Sequence, residues 1–232
     1  MGLGRIQFFS LFSKAVTTAL GIAQSVIVIR ILSPAEFGLV GLVMSIGGIV
    51  GVTQHLGVVD GTIREIAVRR NKKEAGKVFW VSILVRQLVT IPLSVALVIL
   101  AQIIAVRIYG KPEIAVLLQI FAAALILQGL QDVLGATLTG LKRFYELYAV
   151  QIVTAAINIA VFGILTWRFG MAGFFWAVVI TTSIMVAIFS FLVVRSLGGA
   201  IKELVLADIK KYSRQIMRIG VYMYASRICL LY

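Results

Sequence analysis

One cysteine, Cys229, and one histidine, His55, occur in 232 residues, and their scarcity removes whole classes of chemistry. A lone cysteine closes no internal disulfide and builds no thiolate metal cage. A lone histidine cannot assemble the usual zinc constellations. No Gly-rich phosphate loop, HExxH pair or GxSxG elbow occurs. Neither a cofactor nor a metal is therefore expected, and nothing in the sequence reads as a catalytic centre. Charge is scarce too, at 13% of residues against about a quarter in soluble domains.

What is abundant is apolar: 61% of the chain is hydrophobic and the mean hydropathy is +1.05. A water-soluble protein of this length could not hide that much apolar surface, so membrane lipid is the expected solvent and partner. The net charge of +13 does not point to nucleic acid. It is confined to short segments between apolar runs, whereas phosphate binding needs basic residues on one soluble face.

Six apolar segments are long enough to cross a bilayer, which takes about 20 residues. They run roughly over 8–29, 37–59, 78–106, 114–141, 147–167 and 171–194. Only helices satisfy their backbone internally over such lengths, and no segment alternates like a barrel strand. The expected fold is all-α, a polytopic transmembrane helix bundle of six spans plus the start of a seventh. The third and fourth spans are long enough to tilt, and Pro92 is a candidate kink. Small residues around Gly21 would suit a signal peptidase, but the apolar run continues through "SVIVI", so the first segment reads as retained.

Residues 1–194 are thus expected to form a six-helix transmembrane lobe. Residues 195–218 place Ile201, Leu204, Val205, Ile209 and Ile216 among lysines and arginines, the pattern of an amphipathic linker on the cytoplasmic face. Residues 219–232 begin a seventh span too short to cross, so the chain is expected to be truncated or part of a longer protein.

Basic residues fall on one side of this pattern. The strip "IREIAVRRNKKEAGK" carries Arg64, Arg69, Arg70, Lys72, Lys73 and Lys77. Together with the amino terminus, "KRFYE" and the stretch after Val194 it brings sixteen Lys and Arg to one set of connectors, against four on the other set. The positive-inside rule then makes the strip a topology anchor and puts the amino terminus in the cytoplasm, with attraction to anionic headgroups secondary. The expected location is the cytoplasmic membrane of a bacterial or archaeal cell.

Polar and small residues recur at helical spacing within the spans: Ser10, Ser13, Thr17, Gly21 and Gln24; Gly41, Ser45, Gly48 and His55, beside Gly47 and Gly51; Ser82, Arg86, Thr90 and Ser94; Gln128, Asp132, Gly135 and Thr139; Gln151, Thr154 and Asn158. The sixth span clusters Thr181, Thr182 and Ser183. Small and hydroxylated residues serve helix packing, whereas amides and charges are expensive in lipid and should face an interior or an aqueous cavity. Arg86 and Asp132 both lie roughly 14 Å from the basic side at about 1.5 Å per residue. A short connector joins their spans, so an ion pair or a shared cavity is expected. His55 is a candidate proton relay, with packing or an interfacial role as the alternative. In "RILSPAEFG", Ser33 is placed to cap the second helix, with Pro34 at its first position and Glu36 in its first turn.

Leu32, Ser33, Pro34, Glu36, Phe37 and Gly38, followed by Leu56, Gly57, Gly61 and Arg64, resemble the corresponding turn and second-span end of the polysaccharide and oligosaccharide flippases of the multidrug/oligosaccharidyl-lipid/polysaccharide exporter superfamily. The "GLKRFYELY" loop and the basic linker agree with that resemblance. It implies the amino-terminal lobe of two six-helix lobes around a central cavity. It also implies transport of a lipid-linked oligosaccharide, a polyprenyl-diphosphate sugar, across the cytoplasmic membrane for polysaccharide biosynthesis. Polymerase or glycosyltransferase partners would follow. On this resemblance Arg86, Asp132, Gln128, Asn158, Gln24 and Lys14 are the candidate substrate-cavity residues, although Lys14 can snorkel outward. The first two spans carry only Lys14 and Arg30 as cations, fewer than lipid II flippases of the superfamily, which favours a surface-polysaccharide unit. The alternatives are a cation-coupled drug exporter of the same superfamily, a membrane enzyme of polysaccharide assembly, and a non-transporting partner subunit. The first would want an acidic residue deep in the first span, which has none, and the second would want longer outer loops.

Overall fold

Local chemistry sets the first helix boundary. The Ser33 backbone N–H donates to Glu36 Oε2 at 2.9 Å, and the Glu36 N–H donates to Ser33 Oγ at 3.3 Å. With Pro34 opening the helix, this reciprocal cap separates α1 (Leu3–Ile31) from α2 (Pro34–His55) as the spacing of those residues predicts. The computed structural model describes residues 3–55, 57–69, 71–198 and 206–231.

The second span ends sooner than its hydropathy suggests. Gly57 takes a left-handed conformation, φ 70°, and a short separate helix, α3 (Val58–Val68), follows it. Val58 and Val59 therefore belong to α3, because apolar residues continue past the backbone break and mask it. Asn71 then caps α4 (Lys72–Ile103) by accepting the Lys73 N–H at Oδ1, 3.0 Å. The helix thus starts within the basic strip rather than at Val78. It runs through Pro92 into a π-helical turn, Ile104–Ile108. After it come α5 (Glu113–Gly140) and α6 (Phe144–Leu197).

Helix α6 holds two spans. Gly170, with φ 57° and ψ −136°, reverses the chain, so that a Cβ on Gly173 would meet the Leu165 carbonyl at 1.9 Å. Phe162 stacks on Phe174 at 5.1 Å, and Thr154 reaches Met185 at 3.5 Å. The halves before and after Gly170 are antiparallel. Five helical stretches are long and apolar enough to cross a membrane, and the fold-back within α6 makes them six crossings of a multi-pass membrane protein. Helix α7 (Leu206–Leu231) runs unbroken past Arg218, where the sequence suggested a linker giving way to a span. Ile201, Leu204 and Val205, expected on the linker's apolar face, lie outside the described residues.

Two apolar clusters stack along the bundle. One, at the end with the Ser33 and Gly170 turns, joins Val28, Val43, Leu97, Leu118, Leu125, Phe162 and Phe175. The other, at the basic end, joins Ile66, Val78, Val81, Val133, Leu138, Phe189 and Ile216. On α5 the first cluster stops at Leu125 and the second begins at Val133. Helix α4 fills the same interval with Ser82, Arg86, Thr90 and Ser94, each 2% exposed or less. The result is a polar waist between two apolar caps.

Candidate functional site

The waist encloses a cavity of about 660 Å3. Every span contributes to it: Thr17, Gly21 and Gln24 from α1, Gly51 from α2 and Arg86 from α4. Helix α5 adds Gln128, Gln131 and Asp132. The two halves of α6 supply Gln151, Thr154 and Asn158, and Thr181, Thr182 and Met185. Amphipathic spacing explains the convergence, since intervals of three and four residues keep each set on one helix face.

Arg86 and Asp132 meet across α4 and α5, with Nη2 donating to Oδ2 at 2.8 Å. The approach depends on Gly129, where a Cβ would come within 3.1 Å of Thr90 Oγ1 and 3.5 Å of Arg86 Nε. Gln87 ties the same helices by donating to the Ile126 carbonyl at 3.1 Å. The burial of the two charges is unequal: the Arg86 side chain is 2% exposed and that of Asp132 32%. The cation is tucked against the helices, and the carboxylate is its more accessible partner.

Of the residues singled out in the sequence, Arg86, Asp132, Gln128, Asn158 and Gln24 line this cavity. Lys14 does not. It is exposed, one turn nearer the amino terminus than Thr17 on the same helical face. The His55 side chain lies outside the described residues. Among the small residues expected on α2, Gly41, Ser45 and Gly48 are exposed, whereas Gly47 sits against Phe121. Sequence reasoning did not single out Met185, whose sulfur accepts from Thr154 at 3.5 Å and from Gln131 at 3.9 Å. An apolar residue in an apolar span carries no signal of such a role.

The basic strip is more than a connector. Arg69 ion-pairs with Glu65 and Glu74, donates to Gln215 of α7 at 3.2 Å, and lies 4.8 Å over the Tyr212 ring. Lys77 Nζ is 2.8 Å from Asp208 Oδ2. Arg64, Lys72 and Lys73 are exposed, and Arg70 lies outside the described residues. Beneath these pairs α3 presses its glycines to the backbone of α7. A Cβ on Gly57 would lie 2.0 Å from the Gly220 carbonyl oxygen, and one on Gly61 2.5 Å from that of Ile216. The hint in the sequence was Asp208, Tyr212 and Gln215 at helical spacing opposite so many cations.

Comparison with known proteins agrees with this architecture. A MOP superfamily transporter from Pyrococcus furiosus, described as having a binding pocket of reverse polarity, superposes with TM-score 0.74 at 18% identity, covering 97% of this chain and 52% of its own. A MATE protein in complex with Br-NRF matches with TM-score 0.72 at 21% identity, over 97% of this chain and 53% of that one. An outward-facing MATE family multidrug resistance transporter matches with TM-score 0.71 at 19% identity, over 97% and 52%. This chain spans about half the length of those structures. No curated protein matches it in sequence at a significant level. Residues 27–230 match the model of a family described as polysaccharide biosynthesis protein, and the chain, built on the fold of one half of a MOP superfamily transporter, belongs to that family.

Proposed function

We propose that this chain forms one lobe of a flippase that moves lipid-linked oligosaccharides, sugars on a polyprenyl diphosphate, across the cell membrane for polysaccharide biosynthesis. The observation that carries the reading is the mid-height cavity, which all six spans line and to which α1, α5 and both halves of α6 bring amides or hydroxyls. Sugar hydroxyls both donate and accept, and so do Gln and Asn side chains. A prenyl chain can stay in lipid while the glycan enters the polar waist, so only the hydrophilic part needs shelter from hydrocarbon. Lys14, exposed just beyond Thr17, would meet the diphosphate near the rim. By the positive-inside rule, the basic end and the amino terminus face the cytoplasm. Alternating exposure of the cavity to the two leaflets, with a polymerase or glycosyltransferase acting before or after, would complete the cycle.

The MATE matches favour a second reading, drug export coupled to a cation. Helix α1 contains no acidic residue, which weighs against it. Depletion of the protein, followed by leaflet-resolved analysis of lipid-linked sugars, separates the two. A flippase predicts a lipid-linked oligosaccharide accumulating on the inner leaflet. Normal distribution of those lipids with heightened sensitivity to cationic drugs would replace it with the exporter.

A further inference from the structure

We propose that the glycan received by this cavity is uncharged, and that the Arg86–Asp132 pair discriminates against acidic sugars. The inference rests on the flippase reading and narrows its substrate.

The cavity is rich in hydrogen-bonding groups that the protein itself does not use. Among the described residues, the side chains of Gln24, Gln128 and Gln151 make no hydrogen bond within the protein, and all three are half-buried. Asn158 Oδ1 is buried without a partner. The Gln131 amide nitrogen finds only the Met185 thioether at 3.9 Å, a weak acceptor. Together these five side chains offer amide donors and acceptors to a ligand that alternates the two. Sugar hydroxyls provide that alternation without charge.

The charges in the cavity point the same way. Among the described lining residues Arg86 is the one cation, and Asp132 holds it at 2.8 Å. The pair is net neutral, and its accessible member is the carboxylate, 32% exposed against 2% for the guanidinium. A uronic acid or a sialic-type sugar seated among the amides would set its carboxylate near that of Asp132, where juxtaposed like charges select against a partner. A neutral hexose or N-acetylhexosamine meets no such opposition. The diphosphate, which is anionic in every such lipid, must then stay outside the waist.

The test uses the full protein reconstituted in lipid vesicles. Three fluorescent probes are compared: polyprenyl diphosphate carrying a neutral disaccharide, the same lipid with a terminal hexuronic acid, and the lipid without sugar. The neutral lipid should cross at least about tenfold faster than the acidic one, one order of magnitude being a modest selectivity for like-charge exclusion. Asp132→Asn, which leaves the Arg86 charge uncompensated, should narrow or invert that ratio. Gln128→Glu, which adds a carboxylate at a position that pairs with nothing, should widen it and serves if Asp132→Asn does not fold. Equal or faster transport of the acidic lipid by the unaltered protein overturns this inference and leaves the flippase standing. A ratio unmoved by both variants also overturns it. Transport of none of the three lipids overturns the flippase reading, and this inference falls with it.

Discussion

At the end of the bundle that holds the Gly170 turn, Phe121, Phe162, Phe174 and Phe175 interlock nearly edge to face, with centroids 5.1–6.0 Å apart. At the basic end, α7 meets α3 through glycines pressed on backbone and through Arg69, which caps α3 and reaches Gln215 and Tyr212, and it meets α4 through the Lys77–Asp208 pair. The first closure is made of apolar side chains filling space, and salt should leave it unmoved. The second combines backbone contact, which tolerates no added atom, with charged groups whose attraction salt screens. Two ends of one bundle thus resist perturbation in different currencies, and the polar waist between them belongs to neither.

The largest expected effect is at the aromatic end. Phe175, 0% exposed, replaced by alanine should destabilise by about 3–5 kcal/mol. Thermal unfolding in detergent measures this, and the loss should be the same at low and high salt. In the waist, Asp132→Ala removes the carboxylate facing a 2%-exposed arginine and should cost about 3–5 kcal/mol. The charge-swapped double variant should recover part of that loss in the same assay. A double variant no better than either single one would show that the pair is not coupled.

Those two sites differ in how readable they were. The six apolar runs, the Ser33–Glu36 cap and the shared depth of Arg86 and Asp132 follow from spacing alone, because helix period and rise are fixed. Gln24, Gln128 and Asn158 could be assigned to an interior because an amide in lipid is expensive wherever it lies. Helix α3 was hidden, since Val58 and Val59 prolong the hydropathy of the second span and the break lies in the φ of a single glycine. The dock on α7 was hidden as well. Arg69 and Lys77 read as orientation signals, and a charge counted for orientation says nothing of the partner it folds against. Lys14 shows a third limit: its helix face was right for the cavity, but its level falls one turn short.

Smaller effects sharpen the contrast between the ends. Gly61→Ala places a Cβ 2.5 Å from the Ile216 carbonyl oxygen, so α7 must move away from α3. The expected cost is about 1–3 kcal/mol, and a spin-label distance between the two helices should lengthen. Lys77→Ala, whose pair with Asp208 is partly exposed at 26% and 19%, should cost about 0.2–1 kcal/mol at low salt. Its effect should fade at about 1 M salt, where the Debye length is about 3 Å. A salt-dependent Phe175→Ala or a salt-independent Lys77→Ala would erase the difference between the two ends.

A glycan can enter the waist only if the waist is an aqueous cavity within the membrane. With Cys229 replaced by serine, single cysteines at Gln128, Asn158 and Leu88 can be exposed from both sides to a charged, membrane-impermeant maleimide. Gln128→Cys and Asn158→Cys line the cavity and should label. Leu88→Cys, 77% exposed on the surface of α4, should be shielded by lipid and remain unlabelled. Silence at positions 128 and 158, or labelling at 88 as fast as theirs, would contradict the account.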